Sequence, residues 1–219
     1  MVSTPHARAL GDAPESRGTG LVVLTAVDRC GSTTSAVRRV LATHLGCCPD
    51  SVHVVTGLFG KPELARPASA PAVEFNASRS GERCLVAVSH TGRIGVDIEH
   101  RRPIGDIDRL ANMYFTPSEA ATVRDLRGAQ KLDAFFACWT SKEAYTKALG
   151  TGLLTPPETF EVPRGTSNAT GATWATIRGC DWTLYRFEPW SGYTAAVVVA
   201  GHVWASSFTL GNGYVDDAQ

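Results

Sequence analysis

The chain has 219 residues, 43% of them hydrophobic, and its 21 Lys and Arg balance 21 Asp and Glu to a formal net charge of zero. That apolar content can bury a sizeable core in one large domain or two smaller lobes. Neutrality argues against broad electrostatic binding of nucleic acid or of an anionic membrane, although a localised basic pocket stays open.

Residues 1–20 are rich in Ser, Thr, Pro, Gly and Arg without an apolar centre, so they read as a flexible arm and not as a secretory signal. Leu21–Val27 is an apolar, β-rich run and is expected to be a strand. Thr34–Leu45 has helical spacing, with Gly46 as its stop. Val52–Thr56 reads as a second strand, and Gly57–Ala72 as a long loop punctuated by Gly60, Pro62, Pro67 and Pro71. Val73–Phe75 leads into Asn76–Gly81, which reads as a polar turn. Leu85–Val88 and Ile94–Ile98 flank Ser89–Arg93 and look like a hairpin.

Arg101-Arg-Pro103 breaks the strand pattern and suggests a boundary, giving an arm at 1–20, an N-terminal lobe at 21–103 and a C-terminal lobe at 104–219. Thr116-Pro-Ser-Glu119 opens a helix with Thr as N-cap and Glu at the third position. A second helix runs from about Lys131 through Leu149 and is stopped by Gly150. Strands are expected at Phe160–Val162, Trp174–Ile177, Trp182–Phe187, Tyr193–Ala200 and Val203–Leu210, with a frayed tail from Gly211. No apolar run approaches the roughly 18–20 residues of a spanning helix. The six cysteines show no C-x-x-C pair or zinc-ligand spacing, which fits reduced thiols in a cytoplasmic protein.

Two stretches carry chemistry. In Trp139-Thr-Ser-Lys-Glu-Ala-Tyr-Thr-Lys147, Glu143 and Lys147 share a helix face one turn apart, with Trp139 a further turn back. In Ile94-Gly-Val-Asp-Ile-Glu99, strand alternation puts Asp97 and Glu99 on the same side. An exposed Glu–Lys pair is ordinarily a solvated ion pair worth about 0.3–0.5 kcal/mol, and the acid pair by pattern alone sits in solvent. Together, however, Asp97, Glu99 and Glu143 supply an all-oxygen donor set suited to Mg²⁺, which keeps waters and binds substrate phosphates. Lys61 after Gly60, Arg79 in its polar turn, and Arg29, Arg38 and Arg39 near the first helix could meet such phosphates, though each alone reads as a surface cation.

Gly60-Lys-Pro62, Phe75-Asn-Ala-Ser-Arg-Ser-Gly81, Ile94-Gly-Val-Asp-Ile-Glu99, Phe115-Thr-Pro-Ser-Glu119 and Trp139–Lys147 occur in the order found in surfactin-type 4′-phosphopantetheinyl transferases. The chain resembles that family from about Arg29 to Gly201. The resemblance implies an α+β monomer of two similar lobes with the active site at their interface. It implies transfer of phosphopantetheine from coenzyme A to a serine of an acyl or peptidyl carrier protein, with Mg²⁺ as cofactor and no nucleic-acid or membrane partner. It assigns Asp97, Glu99 and Glu143 to the metal, and Glu143 also to the serine proton. Lys147 would neutralise charge on the phosphates, and Lys61, Ser78, Arg79, Lys142 and, less directly, Arg29 would contact coenzyme A. Glu119 matches a further carboxylate near the metal, although its capping-box role explains it fully. Two positions depart from the family pattern: Arg79 replaces a common histidine, and Thr151 stands where relatives often carry a basic residue. Met113, Tyr114 and Phe115 are candidates for an apolar carrier contact, with core packing the alternative.

Two other readings stay open. A Mg²⁺-dependent phosphohydrolase could use the same carboxylates with water as nucleophile, and a degenerate coenzyme A-binding partner would need no chemistry. Intact Asp97, Glu99, Glu143, Lys142 and Lys147 speak against the latter.

Overall fold

The computed structural model describes residues 22–65, 73–163, 172–202 and 208–214. Residues 1–20 lie outside that set. β1 (Val22–Asp28) forms where the first apolar run predicts it. α1 (Thr33–Leu45) starts where the Ser32 hydroxyl accepts from the Ser35 N–H and ends at Gly46, whose φ of 66° is the left-handed conformation glycine adopts without cost. β2 (Val54–Thr56) pairs antiparallel with β3 (Pro62–Leu64), so a short ribbon occupies part of the stretch expected to be loop.

β4 (Glu74–Ser80), β5 (Arg83–Ser89) and β6 (Ile94–His100) correct two expectations. Asn76–Ser80 is strand and not turn; its small polar residues Asn76, Ser78 and Ser80 fall at every second position, and that face finds partners on a neighbouring strand. The hairpin is β4–β5, whereas β5 and β6, expected to pair, belong to different sheets.

α2 (Ile107–Tyr114), which the pattern did not reveal, precedes α3 (Pro117–Asp125) and α4 (Gly128–Leu149). α3 carries the expected capping box between Thr116 and Glu119, and Gly150 ends α4 at φ 69°. Phe160–Val162 is unpaired chain and not a strand; Phe160 and Val162 are buried against α4. β7 (Ala172–Ile177), β8 (Cys180–Phe187) and β9 (Tyr193–Ala200) form as expected. β10 (Phe208–Tyr214) converts part of the expected tail into a strand, while 203–207 lie outside the described residues.

The result is a mixed α and β fold with largely antiparallel sheets. One sheet has the order β10-β1-β5-β4, with β10 parallel to β1, and the other β6-β9-β8-β7. They face each other through Val22, Leu24, Ala26, Leu85 and Ala87 on one side and Ile94, Val96, Ile98, Val197 and Val199 on the other. α1 covers the outer face of the first sheet. The C-terminal half of α4 covers the outer face of the second through Ala144, Tyr145 and Ala148, while Phe135 and Phe136 of its first half pack with α2 and α3. Among the described residues no helix is long and apolar enough to cross a membrane.

Candidate active site at the β4–β6 seam

β6 and β4 are edge strands of different sheets, and an edge strand needs its free backbone groups answered. Side chains do this. The Asn76 Oδ1 accepts from the Val96 N–H at 2.9 Å, and the Ser80 Oγ accepts from the His100 N–H at 3.0 Å. Ser78 and Ser80 then donate to the Asp97 Oδ1 at 2.8 Å and the Glu99 Oε2 at 3.0 Å. Asn76, Ser78 and Ser80 recur at every second residue, which is the strand period that places them on one face. Asn76 and Ser80 were missed as site residues, and that polar alternation is the signal that would have found them.

β6 divides its side chains. Ile94, Val96 and Ile98 enter the core between the sheets, so Gly95, Asp97 and Glu99 face α4. At Gly95 the approach is so close that a Cβ would collide with the Ala144 carbonyl oxygen and the Ala148 backbone nitrogen. The glycine of G-x-D-x-E is therefore a packing requirement that seats the acid pair against the helix. Gly95→Ala is expected to destabilise the fold by about 1–3 kcal/mol, the usual cost of overpacking. Gly105→Ala, where an added Cβ meets nothing, should be near neutral in the same thermal melts.

α4 answers the acid pair with Lys147, whose Nζ lies 2.6 Å from the Asp97 Oδ1 and 3.0 Å from the Ser78 Oγ. Asp97 is 4% exposed, and its second carboxylate oxygen, Oδ2, is buried without a hydrogen-bond partner. Burial pushes the Asp97 carboxyl up, opposed by Lys147 and Ser78. Glu99 is pushed up by burial and then by Asp97. Glu143 is likewise pushed up by burial, then by the Asp97 charge, with Glu99 adding to it and Lys147 opposing. The three carboxylates thus sense one another's charge, although among the described residues no three acidic, His or Cys side chains close into a ready-made metal cluster. An all-oxygen set with one orphaned buried oxygen fits a hard divalent ion that takes few protein ligands and fills its shell with water and phosphate.

Glu143 and Lys147 also line a cavity of about 520 Å³ between the C-terminal end of α4 and the 57–62 turn. Gly60, at φ 84°, lets that turn bring Lys61 inward. The Lys61 Nζ donates to the Ile94 carbonyl at 3.1 Å and reaches the Ala148 carbonyl near the end of α4 at 3.5 Å. Burial lowers its pKa, offset by Glu74 at 3.7 Å.

Other expected residues lie elsewhere. Ser78, expected at coenzyme A phosphates, is committed to Asp97 and Lys147. Arg79, on the opposite face of β4, is exposed and donates to the Gly31 and Gly81 carbonyls, beside the turn that carries exposed Arg29. Neither arginine lines the cavity. Lys142, also expected to contact coenzyme A, does not line the cavity. It is 1% exposed on another face of α4, paired with Glu119 at 2.7 Å and donating to the Pro157 and Phe160 carbonyls. Glu119 is consumed by that pair, its capping box and the Val162 N–H. Trp139 stacks on Phe135 in the cluster with α2 and α3. Phe115 is core and Tyr114 packs edge-on to Trp139, which leaves Met113 exposed. The Thr151 hydroxyl meets that of Thr155 on the cavity wall.

The sequence is similar to known proteins of one family. The family model described as the 4′-phosphopantetheinyl transferase superfamily matches residues 93–198, which include β6 and α4. The 4′-phosphopantetheinyl transferase HetI of Nostoc sp. (strain PCC 7120) is 36% identical over 181 residues, covering 78% of this chain and 70% of that protein. A 4′-phosphopantetheinyl transferase of Bacillus subtilis is 34% identical over 126 residues, 58% of this chain and 54% of its own length. The AcpT transferase of Salmonella typhimurium (strain LT2) is 38% identical over 115 residues, 52% and 57% of the two lengths.

Proposed function

The chain belongs to the 4′-phosphopantetheinyl transferase superfamily, and from that premise we propose that it moves the 4′-phosphopantetheine group of coenzyme A onto a serine of an apo acyl or peptidyl carrier protein, releasing 3′,5′-ADP. The observation that carries this reading is the meeting of Lys147 with buried Asp97, one helical turn from Glu143, on the wall of a roughly 520 Å³ cavity.

In this reading Glu143 accepts the proton of the serine hydroxyl as its oxygen attacks the pantetheine-bearing phosphorus. The bridging P–O bond breaks and the nucleotide leaves with the electron pair. Serine is a poor nucleophile at its free pKa, so a positioned base contributes typically about 10²–10⁴-fold. Asp97, Glu99 and Glu143 would hold Mg²⁺, which when bound adds positive charge to the pyrophosphate oxygens. Lys147 turns from Asp97 and Ser78 toward charge developing on the phosphates, and Lys61, held at the cavity edge by the Ile94 and Ala148 carbonyls, adds a second positive charge. Positioning and charge neutralisation are what phosphoryl transfer asks of a protein. Arg79 and Arg29 are assigned to an outlying phosphate of the coenzyme, and Met113 to the carrier.

We read each sheet with its outer helix as one lobe of a surfactin-type monomer acting in the cytoplasm. On that reading the lobes meet at the β4–β6 seam, and the division falls at the 89–93 turn before β6, ahead of Pro103.

Incubation with coenzyme A, Mg²⁺ and an apo carrier protein, followed by weighing the carrier, tests the reaction. One phosphopantetheine should be gained on a serine, with 3′,5′-ADP released, and chelation of the metal should abolish the gain. Cleaved coenzyme A with an unmodified carrier would instead establish a phosphohydrolase. Binding without cleavage would reduce the chain to a coenzyme A-binding partner.

A further inference from the structure

Away from this site, two imidazoles from distant parts of the chain converge. His44, in the last turn of α1, is half-buried, and His90, in the turn between β5 and β6, is exposed. Their Nε2 atoms face each other in direct contact, with ring centroids 4.5 Å apart and planes tilted by 31°. Two facing imidazole nitrogens can share only one proton, and two protonated rings repel. A metal ion between them satisfies both lone pairs at once when the rings part to admit metal–nitrogen bonds of about 2.0–2.1 Å. Neutral imidazole is a ligand for Zn²⁺, Ni²⁺ and Cu²⁺ and is poorly matched to Mg²⁺. Burial, together with neighbouring His90, lowers the pKa of His44 and so keeps its lone pair available. The carbonyl end of α1 adds partial negative charge beside His44, which favours a cation there.

We propose that His44 and His90 form a second metal site, for a divalent transition ion, with water completing its coordination. Among the described residues no third His, Cys or carboxylate joins them, so the protein supplies two ligands. The ion ties α1 to the turn that runs directly into β6, the strand bearing Asp97 and Glu99. Exposed Cys47 and Cys48, just beyond α1, are the competing soft ligands that a test must separate.

The experiment is calorimetric titration and thermal melting of the full chain with Zn²⁺ or Ni²⁺, in excess Mg²⁺ so that the carboxylate site is occupied. The wild type and Cys47→Ser/Cys48→Ser should bind one equivalent and melt at higher temperature with the ion. His44→Ala and His90→Ala should each lose that binding and that shift while melting normally without it; both positions are solvent-accessible and neither belongs to the proposed reaction. Equal binding by all four chains, loss of binding in the cysteine variant alone, or no binding by the wild type would overturn the proposal.

Discussion

Glu143→Gln is expected to reduce carrier modification by about 10²–10⁴-fold while leaving coenzyme A binding measurable and the melting temperature close to wild type. Glutamine keeps the shape of the side chain on the cavity wall and removes the basic oxygen. Burial, with the Asp97 charge beside it, pushes the Glu143 carboxyl up, so removing its charge is expected to cost the metal-free fold little. Single-turnover transfer, followed by the mass of the carrier, separates the chemical step from binding. Turnover within a few-fold of wild type would take Glu143 out of the proton transfer. Loss of coenzyme A binding in parallel would recast it as a binding residue.

Lys142→Met carries the largest expected effect on stability. Lys142 and Glu119 are both almost fully buried, at 1% and 4% exposure, and breaking such a pair leaves an uncompensated charge at a typical cost of about 3–5 kcal/mol. Glu119 would keep the Thr116 and Val162 N–H groups, so the lower end is expected. For a chain of this size that lowers the melting temperature by roughly 10 °C. Glu119→Gln/Lys142→Met should recover much of the loss, because glutamine keeps the capping box and no charge stays buried. Coenzyme A affinity should be unchanged in the double variant. If affinity fell and stability held, Lys142 would be the coenzyme contact that the sequence resemblance implies.

That residue shows where sequence reading stops. Lys142 and Lys147 lie five apart on one helix, and motif order treats both as cations of one site. The 100° step per residue turns them to different faces, one toward Glu119 and α3, the other toward Asp97 and β6. Ser78 and Arg79 divide in the same way by strand alternation, Ser78 to the acid pair and Arg79 to the 29–31 turn. Reading 76–81 as a turn hid this division, since polar residues in a strand are plausible only when a partner strand satisfies them. That partner, β6, is some twenty residues away in sequence and belongs to another sheet.

The sequence by itself determined what is local. The capping box at Thr116, the left-handed glycine stops at 46 and 150, most strands, the i,i+4 pairing of Glu143 with Lys147 and the shared side of Asp97 and Glu99 all follow from spacing and backbone preference. Motif order was enough to point to the superfamily. Only the tertiary structure decided which sheet received β6, that β10 returns beside β1, and which charged groups meet. Those choices rest on contacts between distant residues: an edge strand whose backbone is answered by two side chains, and a helix that can approach it only because Gly95 has no Cβ. No periodicity within either segment records its neighbour.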